Sequence, residues 1–163
     1  MHADLTPLYK RQEELDKTIA LNHNVSYEST KTSRILALLV EIGELLNETR
    51  CFKYWSNKPS SPKEVVIEEY ADALHFFLSL GIEINASLGE IELFPNEGAL
   101  NEQFLTLYKL VAHFAEERNA INYATAFIYF LNLGISLGYS FEEIEKAYNC
   151  KLKTNYKRQE TNY

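Results

Sequence analysis

Apolar residues recur along this chain at spacings of three and four, the signature of helices with one buried face. Leu5, Leu8, Gln12, Leu15 and Ile19 share such a face and predict a first helix over about Asp4–Leu21, with Pro7 in its first turn. Gln12 is the polar member of that stripe. After the loop NHNVSYES, a second helix is expected over about Thr30–Arg50, with Ile35, Leu38, Leu39, Ile42, Leu45 and Leu46 inward. Glu41, Glu44 and Glu48 fall on its other side within an arc of about 60°. The stretch CFKYWSNKPSSP reads as a loop. Ser61, Pro62 and Glu64 then form a start signal for a third helix, a capping box around a proline at the first helical position.

That third helix is apolar nearly all round from Tyr70 to Ile82, so it is expected to be buried. Its polar exceptions, Asp72, His75 and Ser79, lie three and four apart on one face, with Glu69 one turn earlier. The segment NASLGEIELFPNEG is a connector. Phe104, Leu107, Tyr108, Val111 and Phe114 predict a fourth helix over about Leu100–Glu117. A fifth, rich in Tyr and Phe, runs from about Ala120 to Leu137 and stops at Gly138. Ser140 and Glu143 make a capping box that opens a sixth. No convincing period-2 strand is present. The fold class is therefore all-α, a bundle of about six helices.

The 163 residues suit one domain spanning 1–163, with no internal repeat or composition shift to divide it. A net charge of −7 argues against a surface that coats a nucleic-acid polymer, though not against one bound nucleotide. No apolar run reaches the ~18 residues of a membrane span, and MHADLTPLYKRQEELDKT contains no apolar stretch of a secretory signal. Cys51 and Cys150 read as free thiols. A cytoplasmic protein is expected.

The chemistry centres on two carboxylate groups on successive helices. Glu41-x-x-Glu44, followed by Glu48, stands on the second helix, and Glu69-x-x-Asp72 on the third. Antiparallel neighbours can bring such groups face to face, where they repel unless cations hold them. Oxygen-only ligands suit Mg²⁺, Ca²⁺ or Mn²⁺. A solvated acidic face would account for Glu41, Glu44 and Glu48 but not for Asp72 in an apolar helix. Asp72-x-x-His75 imitates half of a di-iron site, yet its one near match, His113-x-x-Glu116, has the opposite order. Trp55, near Lys53 and Lys58, could stack on a base, or the loop could simply cover one end of the bundle. Lys151, Asn155 and Arg158 share one face of the sixth helix and could grip phosphate or complement the helix dipole. Gln12 could read a base edge through its amide, or only set helix register.

Taken together, Glu41-x-x-Glu44, FKYWS, Glu69-x-x-Asp72, LHF and the late Lys-x-x-x-Asn-x-x-Arg-Gln resemble the all-α, dimeric dUTPase family of the MazG-like pyrophosphohydrolases. The likeness runs from Gln12 to Tyr163. It implies a MazG-like, dimeric bundle and hydrolysis of dUTP, and also of dUDP, to dUMP. It implies Glu41, Glu44, Glu69 and Asp72 as ligands of Mg²⁺, two or three ions per site, with Mn²⁺ able to substitute. Glu41 or Glu48 would be the base that activates water. The deoxyuridine pocket would draw on Gln12, Asp16, His75 and Phe76, with Trp55 and Lys58 near the substrate. Lys151, Asn155, Arg158 and Tyr163 would form the C-terminal closing group. Asp16 departs from the pattern, in which an amide such as Asn is usual, and relatives often extend past the position of Tyr163. The implied partners are a deoxyuridine nucleotide and a second copy of the chain; the apolar faces of the fourth and fifth helices agree with a dimer. The alternatives are a MazG-like enzyme for another nucleotide, such as dCTP or one with a damaged base, and a catalytically idle helical scaffold.

Overall fold

The computed structural model describes residues 1–163. Six helices carry the chain: α1 Thr6–His23, α2 Lys31–Thr49, α3 Lys63–Glu83, α4 Leu100–Glu116, α5 Ala120–Ser136 and α6 Phe141–Glu160. Their ends lie close to those the hydrophobic spacing predicts. No single helix is long and apolar enough to cross a membrane. Both cysteines are free.

As its composition requires, α3 runs through the middle of the bundle. Tyr70, Ala71, Ala73, Leu74, Phe77, Leu78 and Leu80 are all buried, and α1, α2, α5 and α6 pack around them. Tyrosine hydroxyls inside this core are satisfied by backbone and by each other. Tyr70 donates to the Phe130 carbonyl at 3.1 Å and its ring stacks on Phe130 with centroids 4.3 Å apart. Tyr123 donates to the Phe77 carbonyl at 2.9 Å and pairs with the Tyr9 hydroxyl at 2.7 Å. The Tyr123 ring lies directly against Gly81, where a Cβ would collide with it. Gly81→Ala is therefore expected to cost about 1–3 kcal/mol through overpacking, measured as a lower urea midpoint. An unchanged midpoint would mean that Tyr123 can move aside.

Three expectations need correction. The structure contains a small antiparallel sheet, β1 His2–Asp4 against β2 Glu90–Glu92, with Ala3 opposite Ile91. Strands of three residues are too short to show alternation. This pair is fixed by long-range bonds, the Met1 ammonium to the Leu93 carbonyl at 2.8 Å and Leu5 N–H to the Gly89 carbonyl at 3.2 Å.

The Ser61 capping box does not form. Pro62 occupies the cap position in an extended conformation, and the Ser61 hydroxyl donates instead to the Glu48 carboxylate across the α2–α3 loop. Helix α3 starts one residue later than the box requires, so Ser61 lies before the cap and its hydroxyl serves as a donor to the neighbouring helix. The Ser140 box does form: Ser140 accepts from Glu143 N–H at 3.1 Å, and the Glu143 carboxylate accepts from Ser140 N–H at 2.8 Å. Gly138, at φ 89°, makes the turn before it.

Finally, α4 and α5 bury most of their large apolar side chains within the chain itself, including Phe104, Phe114, Phe127 and Phe130. Only Leu105 and Ile121 stand out to solvent on those helices, and α2 exposes Leu36 and Val40. The argument for a dimer from α4 and α5 therefore does not hold.

Candidate active site

Helices α2 and α3 pack side by side, joined by the loop at residues 50–62, and this brings their acidic faces together. Oxygens of Glu41, Glu69 and Asp72 lie within 4.8 Å of one another. All three side chains are half-buried. Burial is the main cause that pushes the Glu41 carboxyl up to about 7, reinforced by the charges of Asp72 and Glu44. Glu69 and Asp72 are also raised, again mainly by burial. One Glu41 oxygen, Oε2, is buried with no hydrogen-bond partner. A buried, unpartnered carboxylate oxygen among other carboxylates fits a bound cation. The oxygen-only donor set suits a hard divalent ion such as Mg²⁺ rather than zinc.

Glu44 stands one turn from Glu41, at the exposed edge of the cluster. It borders both the main cavity and a smaller acidic hollow outside, which it shares with Glu48 and Glu69. Glu48 is absent from the main cavity, and its carboxylate accepts the Ser61 hydroxyl. Lys151 reaches the cluster from α6. Its ammonium lies 2.8 Å from Asp72 and 3.0 Å from Glu68, with the side chain 12% exposed. That cation offsets part of the repulsion and works against the rise in the Asp72 pKa.

The main cavity has a volume of about 700 Å³, within the range of small-molecule sites. Glu41, Glu44 and Asp72 border it. Gln12 and Asp16 enter from α1, His75, Phe76 and Ser79 from α3, and Asn155 and Arg158 from α6. Tyr163 also lines it, and its ring receives the Arg158 guanidinium at 4.8 Å. Trp55 and Lys58 do not reach this cavity. Trp55 is 64% exposed and packs edge-on against Phe52 and Tyr54. Arg50 braces this loop internally by donating to the Lys58 carbonyl and to the Ser56 hydroxyl.

The polar wall of the cavity is tightly bonded. Gln12 donates to Asp16 at 2.8 Å, and its carbonyl oxygen lies 2.6 Å from His75 Nδ1 and 3.1 Å from the Tyr148 hydroxyl. Tyr27 donates to the other Asp16 oxygen at 2.9 Å. Burial raises Asp16, and the hydrogen bonds from Gln12, Ser79 and Tyr27 oppose that rise. Burial pushes His75 down to about 4, so its ring is neutral. The ring stacks on Tyr148 with centroids 4.2 Å apart. His75 is not part of the acidic cluster and His113 is exposed, which removes the di-iron reading.

Tyr27, Arg34 and Tyr148 belong to this site although sequence reasoning did not single them out. Arg34 carried one signal: it sits beside Ile35 on the inward side of α2, where a guanidinium needs a partner. Nothing in the loop sequence pointed to Tyr27.

A helix bundle with an oxygen-only acidic cluster beside a cavity of this size has the parts of an enzyme that handles a phosphorylated small molecule through a divalent cation. A family model described as dUTPase matches residues 4–163, and the chain belongs to that family, the all-α dimeric dUTPases. It is thereby a dUTP diphosphatase, a nucleotide pyrophosphohydrolase. No curated protein matches the chain.

Proposed function

We propose that the chain hydrolyses dUTP with water to dUMP and pyrophosphate, and dUDP to dUMP and phosphate, in a Mg²⁺-dependent reaction. The observation that carries this reading is the meeting of Glu41, Glu69 and Asp72, of which Glu41 and Asp72 border a cavity that also presents Gln12, His75 and Arg158. Glu41, Glu69 and Asp72, with Glu44 at the edge, would hold the metal, and Mn²⁺ could take its place. Magnesium, when bound, neutralises charge on the phosphate chain and acidifies water. Glu41 is the favoured base, because it stands in the acidic cluster and borders the cavity. Glu48, the other candidate, is engaged by Ser61 outside the cavity.

Asn155 and Arg158, which line the cavity from α6, would contact phosphate oxygens, with Arg158 well suited to forked contacts. Tyr163, 80% exposed, can fold with them over the ligand. Lys151 would keep Asp72 in place and share its charge. Gln12, Asp16, His75 and Phe76 form the nucleoside end, where polar groups left unpaired by a wrong base reject it. A homodimer and a cytoplasmic location belong to the same reading. Leu36 and Val40, one turn apart on α2 and each more than half exposed, are apolar side chains available for a dimer contact.

The test is pyrophosphate release from dUTP, dCTP, dTTP and UTP, with and without Mg²⁺. A Mg²⁺-dependent preference for dUTP is expected. Equal turnover of all four, or full activity in chelator, would sink the proposal.

A further inference from the structure

The bonds along the polar wall have a direction. Asp16 is held as an acceptor, with Tyr27 donating to one oxygen and Gln12 to the other. An ionised carboxylate only accepts, so the side of the Gln12 amide that faces it must be the NH₂ group. The Gln12 carbonyl oxygen therefore faces the opposite way, toward His75 Nδ1 at 2.6 Å and the Tyr148 hydroxyl at 3.1 Å. A carbonyl oxygen also only accepts. The proton of a neutral His75 must then sit on Nδ1, which leaves Nε2 as a bare lone pair. Nε2 is the one polar atom of this wall that is buried without any partner, on a residue that lines the cavity and is itself 5% exposed.

We propose that Asp16 is a positioning residue that sets, through Gln12, the Nδ1–H tautomer of His75, so that Nε2 accepts a hydrogen bond from an N–H or O–H of the bound nucleoside. The reversed arrangement, with Nε2–H as donor, would place two acceptors face to face at Asp16 and Gln12. The wall thus presents acceptors to the ligand and selects a nucleoside that brings a donor to it. Two donors on a deoxyuridine nucleotide qualify, the imide N3–H of the base and the 3′-hydroxyl of the sugar. The ligand half of this inference rests on the dUTPase reading, whereas the tautomer is a property of the protein alone.

The experiment is NMR of the whole chain with ¹⁵N-labelled histidine at about pH 7. His75 is expected to show a protonated, pyrrole-like Nδ1 and an unprotonated, pyridine-like Nε2. An Nε2–H tautomer would overturn the relay whatever the enzyme's substrate. Asp16→Asn supplies an amide that can either donate or accept, and it should release the lock, so that a second, Nε2–H population appears. Adding Gln12→Glu to that variant restores an acceptor-only group beside His75 and should restore the single tautomer. A His75 spectrum unchanged by Asp16→Asn would overturn the role of Asp16. Should that variant fail to fold, the tautomer of the wild-type protein still decides the polarity. With Mg²⁺ and dUMP added, the Nε2 resonance should shift as it accepts a hydrogen bond. Loss of the shift with N3-methyl-dUMP identifies the imide as donor, and loss with the 3′-deoxy analogue identifies the hydroxyl. A shift that survives both substitutions would overturn the ligand half.

Discussion

Glu41→Gln is expected to lower dUTP hydrolysis by about 10²–10⁴-fold and yet to make the metal-free protein more stable at alkaline pH. In the fold the Glu41 carboxyl holds its proton up to about pH 7, against an ordinary value of 4.5. Between those values the native state binds more protons than the unfolded chain. Stability conferred by the protonated group is therefore complete below about pH 4.5 and is lost as pH rises through about 7. A glutamine keeps the shape of the protonated acid without the charge. Its advantage should be absent at acid pH and reach on the order of 1–2 kcal/mol at about pH 8, discounted for the solvent that screens this half-open site. Urea unfolding in chelator at two pH values measures this, and added Mg²⁺ should erase the difference by stabilising the wild type. A variant less stable than wild type at about pH 8 without metal would show that Glu41 is held by favourable contacts instead.

Glu83→Ala should be among the most damaging single changes to stability away from the acidic cluster. The Glu83 side chain is 8% exposed and receives two guanidiniums, Arg34 at 2.7 Å and Arg118 at 3.0 Å. It ties the end of α3 to the start of α2 and to the turn between α4 and α5. Removing it leaves two nearly buried cations without a counter-charge, which costs about 3–5 kcal/mol. The damage should also reach the cavity. Arg34 donates to Thr30 at 3.1 Å and to the Tyr27 carbonyl, and its guanidinium sits 4.8 Å over the Tyr27 ring. Tyr27 in turn holds Asp16. Glu83→Gln retains the shape and part of the bonding, so a smaller loss is expected. Denaturation midpoints give the first effect, and faster hydrogen exchange across residues 24–30 gives the second. A cost below about 1 kcal/mol for Glu83→Ala would mean that water replaces the carboxylate.

Helix positions were legible because they depend on local spacing and short-range chemistry. The stripe of α1, the apolar circumference of α3 and the Ser140–Glu143 box each determine their structure within a few residues. The acidic cluster was legible for a related reason: Asp72 in an otherwise buried helix demanded partners, and the next acidic helix supplied them. What stayed hidden depends on neighbours far along the chain. Ser61 looks like a cap until Glu48, thirteen residues earlier, takes its hydroxyl as a donor and Pro62 occupies the cap position. Tyr27 looks like a loop residue until Arg34 and Asp16 enclose it. Gln12 looks like a lone polar residue in an apolar stripe until Asp16, His75 and Tyr148 gather around its amide. The resemblance names these residues one by one; the hydrogen bonds that join them are visible only in the structure.

The packing of α6 also has a consequence for how the protein is made. Helix α6 is the last of the six to leave the ribosome, yet it packs on α3 and on α1, near the beginning. It delivers Lys151 to Asp72 and Asn155 and Arg158 to the cavity. While α1–α5 emerge, the carboxylates of α2 and α3 have no ammonium beside Asp72, and one wall of the cavity is missing. Such long-range closure is slow compared with forming each helix. The growing chain can therefore acquire most of its helices during synthesis, but neither charge balance at Asp72 nor a closed nucleoside cavity before α6 is in place. Nucleotide is thus expected to accelerate only the last step, the docking of α6, whereas a divalent cation would act earlier, on the pairing of α2 with α3.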